Sequence, residues 1–198
     1  MEEIKVLNLH GLGGNADNTT YKELLKLFPT GQIDAPQIEY ETTEPYEIFR
    51  TYLNKRYDLI VGTSFGGFFA FVLGAMTGTP TVLINPCVPP EIYIPNLVEG
   101  YEYTDQLSHV WDKFKRGSKR WRSGVGKEER YGVANSYVVL GTEDELLDPK
   151  LTEEVLPATR FEKLQKGHRM YDKESMKLIN RCIRHILYDG RPFAELVE

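Results

Sequence analysis

The chain has 198 residues, with 24 lysines and arginines against 29 acidic residues and a formal net charge of -5, which suits one domain with a two- or three-layer core and gives no reason to expect a nucleic-acid partner. Two cysteines, Cys87 and Cys182, are too few and too far apart for a disulfide framework or a metal-ligand cluster, and they point to reduced thiols in a cytoplasmic protein. The acidic start Met1-Glu2-Glu3 lacks the form of a secretory signal, and no apolar stretch reaches membrane-spanning length.

Ile4 to His10 alternates and then runs apolar into Gly11-Leu12-Gly13-Gly14, the pattern of a buried strand ending at a flexible loop. From Asn18 or Thr19 to Phe28, Tyr21, Leu24, Leu25 and Phe28 recur at helical spacing, and Pro29 with Gly31 stops the helix. A second strand is expected over Gln32–Tyr40, a helix over Pro45–Arg56 and a third strand over Tyr57–Val61. Phe65 to Met76 is apolar nearly all round, as in a helix packed against a sheet, and Thr81–Ile84 gives the next strand. After Asn85-Pro86 the rhythm breaks, and Cys87 to Gly132 reads as an insertion rich in prolines, aromatics and charges. Alternation resumes with a strand over Ser136–Leu140, a helix near Pro149–Leu156, a strand around Arg160–Leu164 and an amphipathic helix from about Asp172 to Tyr188. Repeated βα units imply an α/β fold with a mainly parallel central sheet, helices on both faces, and ligands at the C-terminal strand ends.

Gly62-Thr63-Ser64-Phe65-Gly66 is a Gly-x-Ser-x-Gly pattern between a predicted strand and a predicted helix. With Gly and Ser each near 7% of an average sequence, chance alone produces it in about one chain in fifteen of this length, so context decides. A serine at a sharp strand-to-helix turn needs small neighbours, because the entering and leaving backbones nearly touch. A serine hydroxyl is a weak nucleophile, and it needs a histidine to take its proton and an acid to orient that histidine. Asp144, in Gly141-Thr142-Glu143-Asp144 after one strand, and His168, in Gly167-His168 after the last, fit that need, with Glu143 and Glu145 as the alternative acids. Asp148, just before Pro149, is better used as a helix cap. His109 lies in the insertion and His185 in the last helix, which suits structural roles, while His10 is placed to shape the site rather than act as the base. Negative charge developing on a carbonyl oxygen needs preorganised donors, for which the backbone amides of Phe65 and Leu12 are positioned. The glycine cluster at 11–14 lacks the features of a nucleotide-binding loop.

With His10-Gly11-Leu12-Gly13-Gly14, the serine turn, Gly141 to Asp144 and Gly167-His168 in line, the whole chain resembles the α/β-hydrolase superfamily. Its small size, a start directly at the strand before the glycine loop, and Asn85-Pro86 after the next strand are similar to the compact bacterial YqiA-type esterases, which have lost the first strands of the full fold. The resemblance implies a minimal three-layer α/β-hydrolase fold in a single domain over 1–198 with 87–132 as a lid or cap. It also implies a Ser64/Asp144/His168 triad, a Leu12 and Phe65 oxyanion hole, no cofactor or metal, and hydrolysis of carboxylic esters or thioesters.

Within 87–132, Lys113, Lys115, Arg116, Lys119, Arg120 and Arg122 follow one another without an intervening acid, among Trp111, Phe114 and Trp121. A charge run is ordinarily a solvated face. As a cap over Ser64, Trp111 and Trp121 would pack on an acyl chain, while Arg116, Lys119 and Arg120 attract an anionic small-molecule substrate such as an acyl-CoA. The expected function is therefore an esterase or thioesterase. The alternative from another class is a non-catalytic hydrolase-fold protein that recruits a partner through the basic run.

Overall fold

Six strands form one parallel sheet in the computed structural model, which describes residues 3–94, 105–112, 136–156 and 160–188. They are β1 (Lys5–Leu9), β2 (Gln32–Asp34), β3 (Leu59–Thr63), β4 (Thr81–Ile84), β5 (Ser136–Gly141) and β6 (Arg160–Leu164). Their spatial order is β2-β1-β3-β4-β5-β6. The chain therefore moves outward from β1 to β2, returns to the other side of β1, and then proceeds in one direction to β6. That reversal puts the topological switch point between β1 and β3, whose C-terminal ends meet with Leu9 opposite Gly62.

The helices are α1 (Thr19–Leu27), α2 (Pro45–Leu53), α3 (Phe65–Thr77), α4 (Pro90–Tyr93), α5 (Pro149–Val155) and α6 (Lys173–Leu187), and residues 105–112 are also helical. Because successive strand side chains point to opposite faces, each central strand feeds two cores. Val6, Leu59, Val61, Val82 and Val139 pack with Leu24 of α1 and with Ile179, Cys182, Ile183 and Ile186 of α6. Leu7, Leu9, Ile60, Leu83, Val138 and Leu140 pack on the other side with Ile48 and Phe49 of α2 and the aromatic residues of α3. Every residue of α3 from Phe65 to Ala75 is buried, which is why its sequence carries no polar stripe. Polar side chains set the helix starts: Asn18, Asp148 and Asp172 accept from the first amides of α1, α5 and α6.

The expected second strand over Gln32–Tyr40 is cut to three residues. β2 is an edge strand paired only with Lys5, Val6 and Leu7 of β1, and Pro36, which has no N–H to offer a ladder, follows two residues after it ends. Ile38 and Tyr40 are buried nonetheless, because this segment folds over the end of β1 and bonds to His10. The α2 helix stops at Leu53 rather than Arg56, and β3 starts at Leu59 after Asp58 has clamped Lys5 through both its backbone and its side chain. Between β4 and β5 the described residues are coil over 85–89 and then helical, with no strand among them. Trp111 corrects the reading of a substrate-facing cap aromatic: it is a core residue, 1% exposed and tilted against Phe68 and Phe71 of α3 at 6.5 and 6.3 Å. The remaining basic and aromatic residues of that expectation, Arg116, Lys119, Arg120 and Trp121, lie outside the described residues. No helix among the described residues is long and apolar enough to cross a membrane.

Both cysteines are free and buried. Burial pushes the Cys182 thiol up from 9.0 to about 12 and the Tyr52 phenol from 10.0 to about 12, and it raises Cys87 and Tyr57 further still. The unfolded chain releases these protons near their ordinary values while the native state holds them to about pH 12, so their stabilisation is complete below about pH 9 and is lost as pH rises toward 12. The urea midpoint should therefore fall steadily from pH 8 to pH 11, and a flat midpoint across that range would contradict the assignment.

Candidate active site

The C-terminal ends of β1, β3, β4, β5 and β6 lie side by side, and the loops leaving them bring Ser64, Asp144 and His168 together. Ser64 follows β3 with φ 53° and ψ -120°, a left-handed conformation that a residue with a side chain adopts only when its surroundings enforce it. The enforcement is visible in its backbone. The Ser64 N–H donates to the Ile84 carbonyl, and the Ser64 carbonyl accepts from the N–H groups of Gly67 and Cys87, each at 2.9 Å. The flanking glycines are steric necessities: a Cβ at Gly62 would lie 2.5 Å from both the Ala70 Cβ and the Gly66 carbonyl oxygen, and one at Gly66 would collide with the carbonyl oxygens of Leu9 and His10.

Asp144 sits in the loop after β5, its side chain 2% exposed. One carboxylate oxygen accepts from the N–H groups of Leu146 and Leu147 at 2.9 Å each, and the other lies 2.8 Å from His168 Nδ1. The second ring nitrogen, Nε2, is 2.9 Å from Ser64 Oγ. A carboxylate only accepts, so Nδ1 carries the proton and Nε2 faces the serine hydroxyl with its lone pair. The other acidic residues of the loop have separate work. Glu145 accepts the His168 backbone N–H at 2.9 Å, a bond that holds its carboxyl below the ordinary carboxylate range. Glu143 accepts from the Gln165 side chain at 2.8 Å, and Asp148 caps α5. The acidic cluster that leaves several candidates open in sequence is thus sorted by partner.

The loop after β1 lies against the serine: a Cβ on Gly11 would come within 3.0 Å of Ser64 Cβ and 3.6 Å of its Oγ. His10 is 3% exposed, and both its ring nitrogens are used. Nε2 accepts the Ile38 N–H at 3.0 Å, which leaves the proton on Nδ1 to donate to the Gly11 carbonyl at 2.7 Å. The Gly14 N–H donates to the same carbonyl at 3.0 Å, and the Tyr40 hydroxyl secures the His10 carbonyl at 2.8 Å. Since the C=O and N–H of a trans peptide point in opposite directions, pinning the Gly11 carbonyl aims the Leu12 N–H away from His10. Phe65 opens α3 immediately after Ser64, so its N–H belongs to the positive end of a 13-residue helix.

The other two histidines lie elsewhere. His109 is exposed, with its ring edge-on to Tyr46 at 6.5 Å, and His185 on α6 is 2.7 Å from the Tyr137 hydroxyl. One residue beside the site was not singled out as a site residue from the sequence. Asn85, 2% exposed, accepts the Gly141 N–H at 2.7 Å and donates to the His168 carbonyl at 2.9 Å. The only hint in the sequence is a polar residue directly after an apolar strand.

Solved structures of similar fold share little sequence with this chain. Alpha/beta hydrolase domain-containing protein 10 from mouse superposes with a TM-score of 0.61 at 11% identity, covering 93% of this chain and 90% of the other. A pyrethroid hydrolase from Sphingobium faniae gives 0.58 at 14% identity with 96% and 100% coverage, and an esterase from a Rhodococcus species gives 0.54 at 14% with 94% and 91%. These likenesses establish the α/β-hydrolase fold. No curated protein matches the chain. The model of an uncharacterised protein family, UPF0227, matches residues 7–172, a span that holds the glycine loop, the serine turn, Asp144 and His168, and the chain belongs to that family.

Proposed function

We propose that this protein is a serine hydrolase that cleaves carboxylic esters or thioesters through an acyl-enzyme on Ser64. The observation that carries the reading is the unbroken relay from Ser64 Oγ to His168 Nε2 at 2.9 Å and from His168 Nδ1 to Asp144 at 2.8 Å. In this reading His168 takes the hydroxyl proton as Ser64 oxygen adds to the substrate carbonyl carbon. Asp144 stabilises the imidazolium without taking its proton. The N–H groups of Leu12 and Phe65 receive the developing oxyanion. As the carbonyl re-forms, the alcohol or thiol departs with the proton from His168 and Ser64 keeps the acyl group. Water then repeats the cycle: His168 takes one of its protons, the hydroxyl adds to the acyl carbon, and Ser64 leaves with that proton as the acid is released. The names of the solved esterase and hydrolases of the same fold agree with this class of reaction.

The test is covalent labelling by a fluorophosphonate, with intact mass showing one adduct on the native protein, followed by p-nitrophenyl esters and matched thioesters of increasing chain length. A non-catalytic binding protein would give no adduct and no turnover. Asp144→Asn probes the relay itself: an amide presents an N–H to Nδ1, selects the wrong imidazole tautomer and should lower kcat by about 10⁴-fold with the fold intact. Steady-state kinetics on the best ester would show it, and a loss below tenfold would remove Asp144 from the proposed role.

A further inference from the structure

Two halves of the site are each internally registered. On one side, the 84–87 segment clasps the serine turn: the Ser64 N–H bonds to the Ile84 carbonyl and the Cys87 N–H to the Ser64 carbonyl. On the other, the loops after β5 and β6 are zipped together by backbone bonds from Thr142 N–H to the Leu164 carbonyl at 2.8 Å and from Glu143 N–H to the Lys166 carbonyl at 3.0 Å. The acid and base loops are therefore bonded into one body, and the nucleophile's turn is bonded into another. Beyond the β4–β5 ladder and the proposed relay, the Asn85 side chain joins the two.

Its backbone is part of the clasp, lying between Ile84 and Cys87 with its own N–H on the Val139 carbonyl at 2.9 Å. Its side chain grips the other body. Oδ1 accepts from Gly141, where the acid loop begins, and Nδ2 donates to the carbonyls of His168 at 2.9 Å and Gly167 at 3.4 Å, within the base loop. The two ends of the amide are not interchangeable here, because Gly141 offers only a donor and the carbonyls offer only acceptors. Asn85 also has φ 41°, a left-handed value that asparagine tolerates better than most residues with a Cβ. Asparagine meets all three demands: left-handed backbone, short reach, and a donor and acceptor on one rigid plane.

We propose that Asn85 is a positioning residue that sets the distance between the nucleophile and the acid-base pair, an inference that rests on the serine-hydrolase reading. Asn85→Gly removes the bracket while easing the backbone conformation, and Asn85→Asp keeps size and acceptor but cannot, as a carboxylate, donate to the two carbonyls. Both should lower kcat and the fluorophosphonate labelling rate by about 100-fold, the order expected when reacting groups are displaced by about an ångström, with KM changed less than about threefold. The proton NMR resonance of His168 Nδ1–H, assigned by its loss in His168→Ala, should shift or broaden in both variants. A merely structural asparagine would change the melting temperature and leave that resonance and kcat where they were, and this result in either folded variant overturns the proposal. If the native protein takes no fluorophosphonate, the serine-hydrolase reading fails by itself. The resonance comparison then still decides whether Asn85 holds His168 in place.

Discussion

Ser64→Ala should leave a folded protein that no longer takes a fluorophosphonate and whose kcat on any ester substrate has dropped by on the order of 10⁵-fold or more. The alanine keeps a Cβ at φ 53°, so the turn and its three backbone bonds persist and only the attacking oxygen is lost. His168→Ala should cost about as much, and the double variant little more than either single one, because nucleophile and base act as a unit. Steady-state kinetics on the three proteins, with circular dichroism to confirm folding, would reveal it. Two independent losses that add in the double variant would mean that the relay from Ser64 to His168 does not operate as one device.

The second large effect is steric. Gly66→Ala should destabilise the fold by about 3 kcal/mol or more, at or beyond the usual range for overpacking, because the new methyl group meets the carbonyl oxygens of Leu9 and His10 and no flexible side chain can yield. The same collision pushes on the loop whose Gly11 carbonyl is pinned by His10 and Gly14, so the surviving folded molecules should also show a lower kcat. Urea denaturation gives the first quantity and active-site titration of the folded fraction the second. A Gly66→Ala protein of native stability and native activity would mean that α3 does not press on the end of β1 as described.

The strand and helix pattern is legible wherever an apolar run decides its own partner. β4 and α3 fall within a residue or so of their expected bounds because their residues are buried almost throughout, and α6 does so because its apolar stripe and its Asp172 cap mark it. β2 is overextended in the sequence reading for a physical reason. Ile38 and Tyr40 look like strand residues, yet they are buried in the core from an irregular segment, with Tyr40 packed on Phe65 and Phe69 of α3, and nothing local reports that an edge strand has run out of partner. The convergence of Ser64, Asp144 and His168 can be anticipated because each follows a strand in an order that the fold demands. Asn85 cannot, since its partners at 141, 167 and 168 become neighbours only when β4, β5 and β6 stand in line. Trp111 misleads because it precedes a run of basic residues in the chain while its ring belongs to the core beneath α3.

The strand order also carries a timetable. The serine turn, the glycine loop and the 84–87 clasp all come from the first four strands, whereas Asp144 and His168 arrive with β5 and β6, and the serine and histidine that meet are 104 residues apart. Closing so distant a contact is among the slower events in folding. A chain folding from its N-terminal side would possess a strained serine and a shaped loop well before it possessed a base. On the proposed reading, competence to react would then await the docking of the last two strands, because Asp144 and His168 follow β5 and β6.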